Sequence, residues 1–210
     1  MNRRSFLTRL AAVAPAAAGV ALSSRTASAD IVRAVGVGRD NIPNVPVISQ
    51  EGKEYQFYDD LVKGKTVLIN FFYAQCTGIC PRMTSNLARI RKELGERVGQ
   101  DIFIYSISLK PEEDTPAQLR HYAQMHGIKP DSGWLLLQAA RPQMELLRER
   151  LGFKDSDAVL DADINQHTGM LRMGNDTYNR WSAYPLLGKV ETIAELIRQL
   201  DPTAPRRRLY

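Results

Sequence analysis

The sequence predicts an α/β sandwich in which helices flank a central β-sheet, and three observations support this fold class. Two apolar runs rich in β-branched and aromatic residues, 65–75 and 101–109, are typical of strands that are buried on both faces. Each run is followed by a predicted helix. With 210 residues, of which 44% are hydrophobic, the chain can build one sizeable core.

The first 29 residues are predicted to be a cleaved export signal. Arg3 and Arg4 provide a charged start of the twin-arginine type, residues 10–22 are mildly apolar, and the small residues 27–29 suit a signal peptidase. The apolar run is shorter than the roughly 20 residues that span a bilayer, so an uncleaved membrane anchor is the less favoured alternative. We therefore expect a periplasmic or other extracytoplasmic protein, exported by the twin-arginine route and able to work close to the membrane.

The predicted mature chain, residues 30–210, is expected to fold as one domain with almost no net charge. The signal contains four arginines and no acid, so its removal leaves 24 basic residues against 23 acidic ones and a balance of +1. The basic cluster 206–208 has the pattern of a solvated tail. The composition therefore argues against a nucleic-acid partner.

The first half of the mature chain predicts an N-terminal β-hairpin, a buried strand and an amphipathic helix, in that order. Residues 45–60 read as the hairpin, with Gly52 in its turn. The run 65–75 is expected to lie centrally in the sheet. After Pro81 the apolar residues recur at intervals of four, three and four, which indicates a helix with proline in its first turn. These apolar residues are Met83, Leu87, Ile90 and Leu94.

The second half of the chain continues the alternation of strands and helices. The run 101–109 is a second buried strand, and the next helix is expected to start near a Thr115 cap and to stop at Gly127. The remaining predicted elements are a strand at 133–138, a helix at 142–151, a polar stretch through Asp161 and Asp163, a hairpin with arms at 165–176 and 178–183, and a helix at 189–200. This order is that of a thioredoxin-like sandwich.

Cys76 and Cys80, the two cysteines of the sequence, lie where the first core strand ends and its helix begins. A helix start supplies unpaired N–H groups and a positive dipole end, which favour thiolate, so both sulfurs are expected to be reactive or to be good ligands. A helical turn would point both sulfurs to one face, where they could close a disulfide or hold one ion. An inert structural disulfide is the alternative in an exported protein, although so short a loop constrains the unfolded chain little.

The histidines and methionines are candidates for further metal ligands. His121 and His126 fall near the end of one predicted helix and are expected to be ordinary surface or partly packed residues. His167 follows a polar loop and precedes a strand whose leading end, in a thioredoxin-like fold, faces the start of the first helix. Met170 and Met173 are three apart on that strand, so they point to opposite faces and cannot both serve one site.

Several stretches of the sequence together resemble the Sco/SenC family of copper-binding proteins, which help to assemble the copper centre of cytochrome oxidase. They are "GKTVLINFFYAQCTGICPRMTSNLARI", "SISLKPEEDTPAQLRHYAQMHG" with "GWLLL" behind it, and a lone histidine before a strand; the similarity covers roughly residues 47–200. The resemblance implies a thioredoxin-like fold and copper, as Cu(I) or Cu(II), bound by Cys76, Cys80 and His167. It also implies a copper-accepting subunit of a respiratory oxidase, or another copper protein, as the partner.

The sequence is therefore compatible with two functions. A metallochaperone would use soft thiolates and one imidazole to hold copper and pass it on. A thiol–disulfide oxidoreductase would use Cys76 to attack a partner's disulfide and Cys80 to resolve it, with a thiol reductant as its partner. Reductases of the thioredoxin type usually have two residues between the cysteines, and here there are three. A peroxidase would share the fold, but nothing in the sequence supplies the Thr and Arg arrangement that a peroxidatic cysteine needs.

Overall fold

A computed structural model describes residues 38–162 and 169–203 of the chain. The predicted export signal, His167 and the basic cluster 206–208 lie outside the described residues. Within the described ranges, no helix is both long enough and apolar enough to cross a bilayer.

The described residues form seven strands and five α-helices. The strands are β1 (Pro46–Ser49), β2 (Glu54–Gln56), β3 (Thr66–Phe72), β4 (Ile102–Ser108), β5 (Trp134–Gln138), β6 (Met170–Asn175) and β7 (Arg180–Pro185). The helices are α1 (Cys80–Leu94), α2 (Pro116–Met125), α3 (Arg141–Arg150), α4 (Ala158–Ala162) and α5 (Val190–Arg198). A π-helix spans Phe57–Val62, and short 3-10 turns span Arg39–Asn41 and Gly95–Arg97.

One mixed sheet contains all seven strands, in the order β2-β1-β5-β4-β3-β6-β7. β3 runs parallel to β4 and antiparallel to β6, and all seven of its residues are buried. β4 also pairs in parallel with β5. The prediction of a central strand buried on both faces is therefore confirmed, and the carboxyl end of β3 lies in the middle of one edge of the sheet.

The sheet separates two apolar cores, as a sandwich requires. On one face, Leu68 and Phe72 of β3 belong to a cluster with residues of α1, α2 and α5. On the other face, Val67 and Ile69 belong to a cluster with the π-helix and α3. Met173 lies in the first cluster, whereas Met170 packs against the second, so the prediction that these methionines face opposite ways is confirmed.

α1 and α2 are confirmed with the predicted patterns. The four apolar residues of α1 identified by their spacing are all buried: Met83, Leu87, Ile90 and Leu94. α2 begins directly after Thr115, whose side-chain oxygen accepts a hydrogen bond from the Gln118 backbone N–H at 3.4 Å. The strong local signals in these two segments therefore determine where both helices begin.

The N-terminal hairpin is confirmed as an extension of the same sheet. β1 and β2 pair antiparallel, Gly52 has a φ of +79° in the turn, and β1 continues the sheet by pairing with β5. Two details differ from the prediction. Residues 57–60, expected to continue the second arm, belong to the π-helix. The predicted polar stretch contains α4, whose Val159 N–H donates to the Asp157 carboxylate at 2.8 Å.

Candidate metal centre

The two cysteines lie on a short connection between the central strand and the first helix. β3 ends at Phe72, and the Cys76 backbone N–H then donates to the Tyr73 carbonyl at 3.2 Å in a turn. α1 begins at Cys80, with Pro81 in its first turn and no side chain capping it. The first N–H groups of α1 are therefore free to interact with the thiols.

The structure brings both sulfurs into one pocket. Cys76 and Cys80 are not joined by a disulfide in this structure, have relative exposures of 8% and 4%, and hydrogen-bond to each other through their side chains. They line a cavity of about 190 Å³ whose walls also include Tyr73, Met83 and Leu109. Two thiols that share a pocket and a hydrogen bond can close a disulfide or bind one soft ion.

The two thiols differ in acidity. Burial raises the pKa of Cys76, but hydrogen bonds from the Cys80 thiol and from the backbone N–H groups of Cys80 and Gly78 outweigh it, so the pKa lies below its ordinary value. Burial, followed by the hydrogen bond to Cys76, raises the pKa of Cys80 to about 12. The helix start was expected to lower the pKa of both thiols. This is wrong for Cys80, because it is the more deeply buried of the pair. Cys76 is therefore the more acidic thiol of the pair.

A buried carboxyl, Asp114, supports the connection that carries the cysteines. Its Oδ2 atom accepts from the Ala74 backbone N–H at 3.1 Å and from the Ser108 hydroxyl at 2.5 Å. Burial raises its pKa above the ordinary value. Nothing in the sequence distinguishes Asp114 from its neighbours Glu112 and Glu113, which are exposed in the structure.

The third predicted ligand, His167, is outside the described residues, but the chain just after it is described. A Cβ added at Gly169 would lie 3.0 Å from the Ile79 Cδ1 atom, and Ile79 stands between the two cysteines. The Gly169 carbonyl accepts from the Leu186 N–H at 2.6 Å, and Asn86 of α1 donates to the Leu186 carbonyl at 2.6 Å. The backbone two residues beyond His167 therefore packs against the cysteine loop.

The other two histidines lie apart from the thiol pocket. His121 is exposed, and His126 is half-buried with its ring centroid 4.2 Å from that of Tyr122. Neither lines the cavity that contains the cysteines, which confirms them as surface or partly packed residues. Within the part of the chain that the structure describes, no three His, Cys, Asp or Glu side chains are grouped closely enough to hold a metal.

Fold and site together define a thioredoxin-like protein with a buried dithiol at the start of its first helix. Residues 47–132 match the SCO1/SenC family model. The chain is 31% identical over 98 residues to the SCO1 protein homolog of Bacillus subtilis, which is 46% of this chain and 49% of that protein. The chain thus spans about half the length of the curated relatives it matches. The predicted resemblance to the SCO1/SenC family is therefore confirmed over residues 47–132.

Solved structures of Sco proteins have the same fold. The structure of ScoI from Bradyrhizobium japonicum with copper bound matches with a TM-score of 0.57 and 22% identity, covering 74% of this chain and 96% of that one. The structure of BsSco, described as a member of the Sco family of cytochrome c oxidase assembly proteins with a disulfide switch, matches with a TM-score of 0.60 and 23% identity, covering 76% of this chain and 94% of that one. The predicted thioredoxin-like fold is therefore confirmed.

Proposed function

We propose that this protein is an exported metallochaperone that binds copper through Cys76, Cys80 and His167 and delivers it to the copper centre of a respiratory oxidase. The contact between Gly169 and Ile79 is the observation that carries the proposal. Residue 169, two positions after His167 in the sequence, lies against the loop between the two cysteines. Two residues can span at most roughly 7 Å, so this contact supports His167 as the proposed third ligand.

The chemistry of the donors supports copper as the ion. Thiolates are soft ligands that suit Cu(I), and an imidazole suits Cu(II) as well. Thr77 and Gly78, between the cysteines, are exposed, so an ion held by these sulfurs would be close to the protein surface. A site with few ligands near the surface can release its ion to a partner with more ligands.

The comparisons support the choice of cargo and partner. The related ScoI of Bradyrhizobium japonicum was solved with copper bound, and BsSco belongs to a family of cytochrome c oxidase assembly proteins. A copper-accepting subunit of such an oxidase is therefore the proposed partner. Because thiolate is the form that binds metal, a thiol reductant that keeps the pair reduced is a second partner.

Thiol–disulfide exchange is the second candidate function, and the difference in acidity between the two thiols favours it. The Cys76 thiolate would attack one sulfur of a partner's disulfide, forming a mixed disulfide and releasing the other sulfur as a thiolate. The Cys80 sulfur would then displace the remaining partner thiol and close the Cys76–Cys80 disulfide. The partner gains two electrons and this protein loses them. In this reaction His167 has no ligand role, which separates the two candidates.

Copper titration of the reduced mature protein tests the metallochaperone proposal. We expect one copper ion per chain, none in the oxidised form, and loss of tight binding in Cys76→Ser and Cys80→Ser, because each removes a thiolate ligand. His167→Ala should no longer bind Cu(II), and the sulfur-to-copper absorption band measures this loss. Cu(I) should still bind this variant weakly through the two sulfurs. His121→Ala and His126→Ala are the matched controls and should bind as the wild type does.

Two results would contradict the proposal. Equal copper uptake by the oxidised and reduced forms would mean that the thiols are not the ligands. Wild-type Cu(II) binding by His167→Ala, with loss of binding in either control, would assign the imidazole ligand to another histidine.

A further inference from the structure

A second cavity, of about 200 Å³, lies between α1, the turn after α2 and the start of β5. Its lining includes Arg91, His126, Lys129, Ser132 and Trp134, and none of the residues described as lining it is acidic. The cavity is smaller than the roughly 300–1,000 Å³ typical of sites for drug-sized molecules, so a small ligand fits it better. It shares no lining residue with the cavity that contains the cysteines.

The walls of this cavity present hydrogen-bond donors. The Arg91 Nε–H donates to the Ser132 carbonyl at 3.3 Å. This bond leaves the outer N–H groups of the guanidinium available as further donors. Within the described residues, Lys129 has no acidic partner. His126 contributes an imidazole whose pKa is lowered by burial.

The end of α2 does not add free acceptors to the cavity. Three carbonyls at that end already accept from the following turn: Tyr122 from the His126 N–H, Gln124 from the Gly127 N–H and Ala123 from the Ile128 N–H. The negative end of the helix dipole is thus partly satisfied by the turn that closes it. The groups left to meet a ligand are mainly donors.

The Ser132 hydroxyl is the second, independent feature that points to a ligand. Its Oγ atom is buried and has no hydrogen-bond partner among the described residues. The backbone beside it is closely packed, since a Cβ added at Gly133 would lie 2.3 Å from the Gly99 backbone nitrogen. A buried hydroxyl without a partner is costly and is normally satisfied by a bound molecule or by water.

We propose that this cavity is a binding site for a small oxyanion such as phosphate, held by Arg91, Lys129, His126 and the Ser132 hydroxyl. The two cations supply charge-assisted hydrogen bonds, and the hydroxyl donates to the anion and so acquires its missing partner. The site is independent of the copper proposal, since it lies apart from the cysteines and uses none of the predicted copper ligands.

Fluorescence of Trp134 tests this site directly, because Trp134 lines the cavity with its indole buried. In a Trp181→Phe background Trp134 is the remaining tryptophan. Inorganic phosphate should give a saturable change with a dissociation constant on the order of 1 mM, and sodium chloride at equal ionic strength should not. Lys129→Gln and Ser132→Ala should each weaken phosphate binding by about tenfold, as expected for loss of one hydrogen bond to a charged group. Lys92→Gln, an exposed neighbour of Arg91, is the control and should bind as the wild type does.

The thermal stability of the variants shows whether weaker phosphate binding results from misfolding. Lys129 is exposed and Ser132→Ala removes an unsatisfied polar group, so both variants should unfold at wild-type temperature or above in phosphate-free buffer. Identical fluorescence changes with phosphate and chloride, or wild-type phosphate affinity in both Lys129→Gln and Ser132→Ala, would overturn the proposal. Neither result would affect the copper proposal, whose readout is metal content.

Discussion

At the scale of single residues, Asp114 links the cysteine connection to the end of β4. It has a relative exposure of 1% and accepts hydrogen bonds from the Ala74 N–H and the Ser108 hydroxyl. Burial raises its pKa above the ordinary 3.8 despite these two bonds, which favour the ionised form. The carboxyl therefore holds its proton more tightly in the folded chain than in the unfolded one.

The sign of the resulting pH dependence follows from this difference. Between 3.8 and the raised pKa the folded state binds more protons at Asp114 than the unfolded state. Its contribution to the free energy of unfolding therefore falls as pH rises through that window. The amide introduced by Asp114→Asn does not titrate. Urea unfolding at several pH values gives the free energy of unfolding of the wild type and of this variant. The wild-type value minus the variant value should decrease from low pH to neutral pH.

Glu112 provides the control for this measurement, because the hydrogen bond from Arg141 lowers its pKa, the opposite direction to Asp114. The same difference taken against Glu112→Gln should not fall with pH. A curve for Asp114→Asn that is flat, or that rises with pH, would show that burial does not control this carboxyl.

Residue types at a local motif could be predicted, whereas roles that depend on burial could not. Cys76 and Cys80 stand out because strand, turn and helix signals surround them in the sequence. Asp114 acquires its role from Ala74, 40 positions away in the chain. The unequal acidity of the two thiols likewise depends on how deeply each is packed, which spacing alone does not reveal.

At the scale of elements, the pairing of β6 with β7 places Gly174 directly opposite Trp181. A Cβ at Gly174 would lie 2.1 Å from a ring atom of Trp181, closer than any real contact. Gly174→Ala must therefore displace the indole, whose N–H donates to the Asn179 side chain at 3.2 Å. We expect a loss of about 1–3 kcal/mol in the free energy of unfolding, the usual range for overpacking.

A double-mutant cycle tests whether the Trp181 ring causes the loss of stability in Gly174→Ala. In a Trp181→Ala background, Gly174→Ala should cost little, because the side chain that it displaces is gone. Gly78→Ala is the matched control, since nothing lies within 4 Å of the added methyl group and the change should stay within about 0.5 kcal/mol. An equal cost of Gly174→Ala in both backgrounds would place the strain elsewhere.

Elements with strong periodicity could be predicted, and the two that were missed depend on polar contacts. β3, β4 and α1 follow from apolar patterns that need no distant partner. The π-helix is stabilised by contacts from both near and far, with the Asp60 carboxylate accepting from the Gln56 N–H at 2.6 Å and the Tyr105 hydroxyl donating to the Leu61 carbonyl at 2.7 Å. α4 is anchored through Asp161, which pairs with the buried Arg148.

At the scale of the whole molecule, the order of strands and helices allowed the sandwich to be predicted, because parallel β3, β4 and β5 need helical crossovers. The position of β1 beside β5 was not predicted, since an antiparallel hairpin can join either edge of a sheet and only side-chain packing decides between them. In the folded sheet Gln50, directly after β1, contacts β5, since its side-chain oxygen accepts from the Leu136 N–H at 2.8 Å.

Export in the folded state is the remaining whole-molecule hypothesis, and it rests on the N-terminal 29 residues. Arg3 and Arg4 precede a weakly apolar run, which is the pattern of the twin-arginine route. If that route is used, replacing both residues with lysine should trap precursor in the cytoplasm even though the charge is unchanged. Cell fractionation and the mass of the exported protein, expected to begin at Asp30, provide the measurement.

Two other arginines of the same segment serve as controls for the Arg3–Arg4 pair. Arg9→Lys and Arg25→Lys alter arginines that lie outside the motif, so both variants should be exported and cleaved as the wild type is. Unchanged export of the Arg3→Lys, Arg4→Lys double variant would exclude the twin-arginine route. A chain exported by another route would cross the membrane unfolded and would bind copper only after export. That result would therefore leave the proposed copper ligands unchanged.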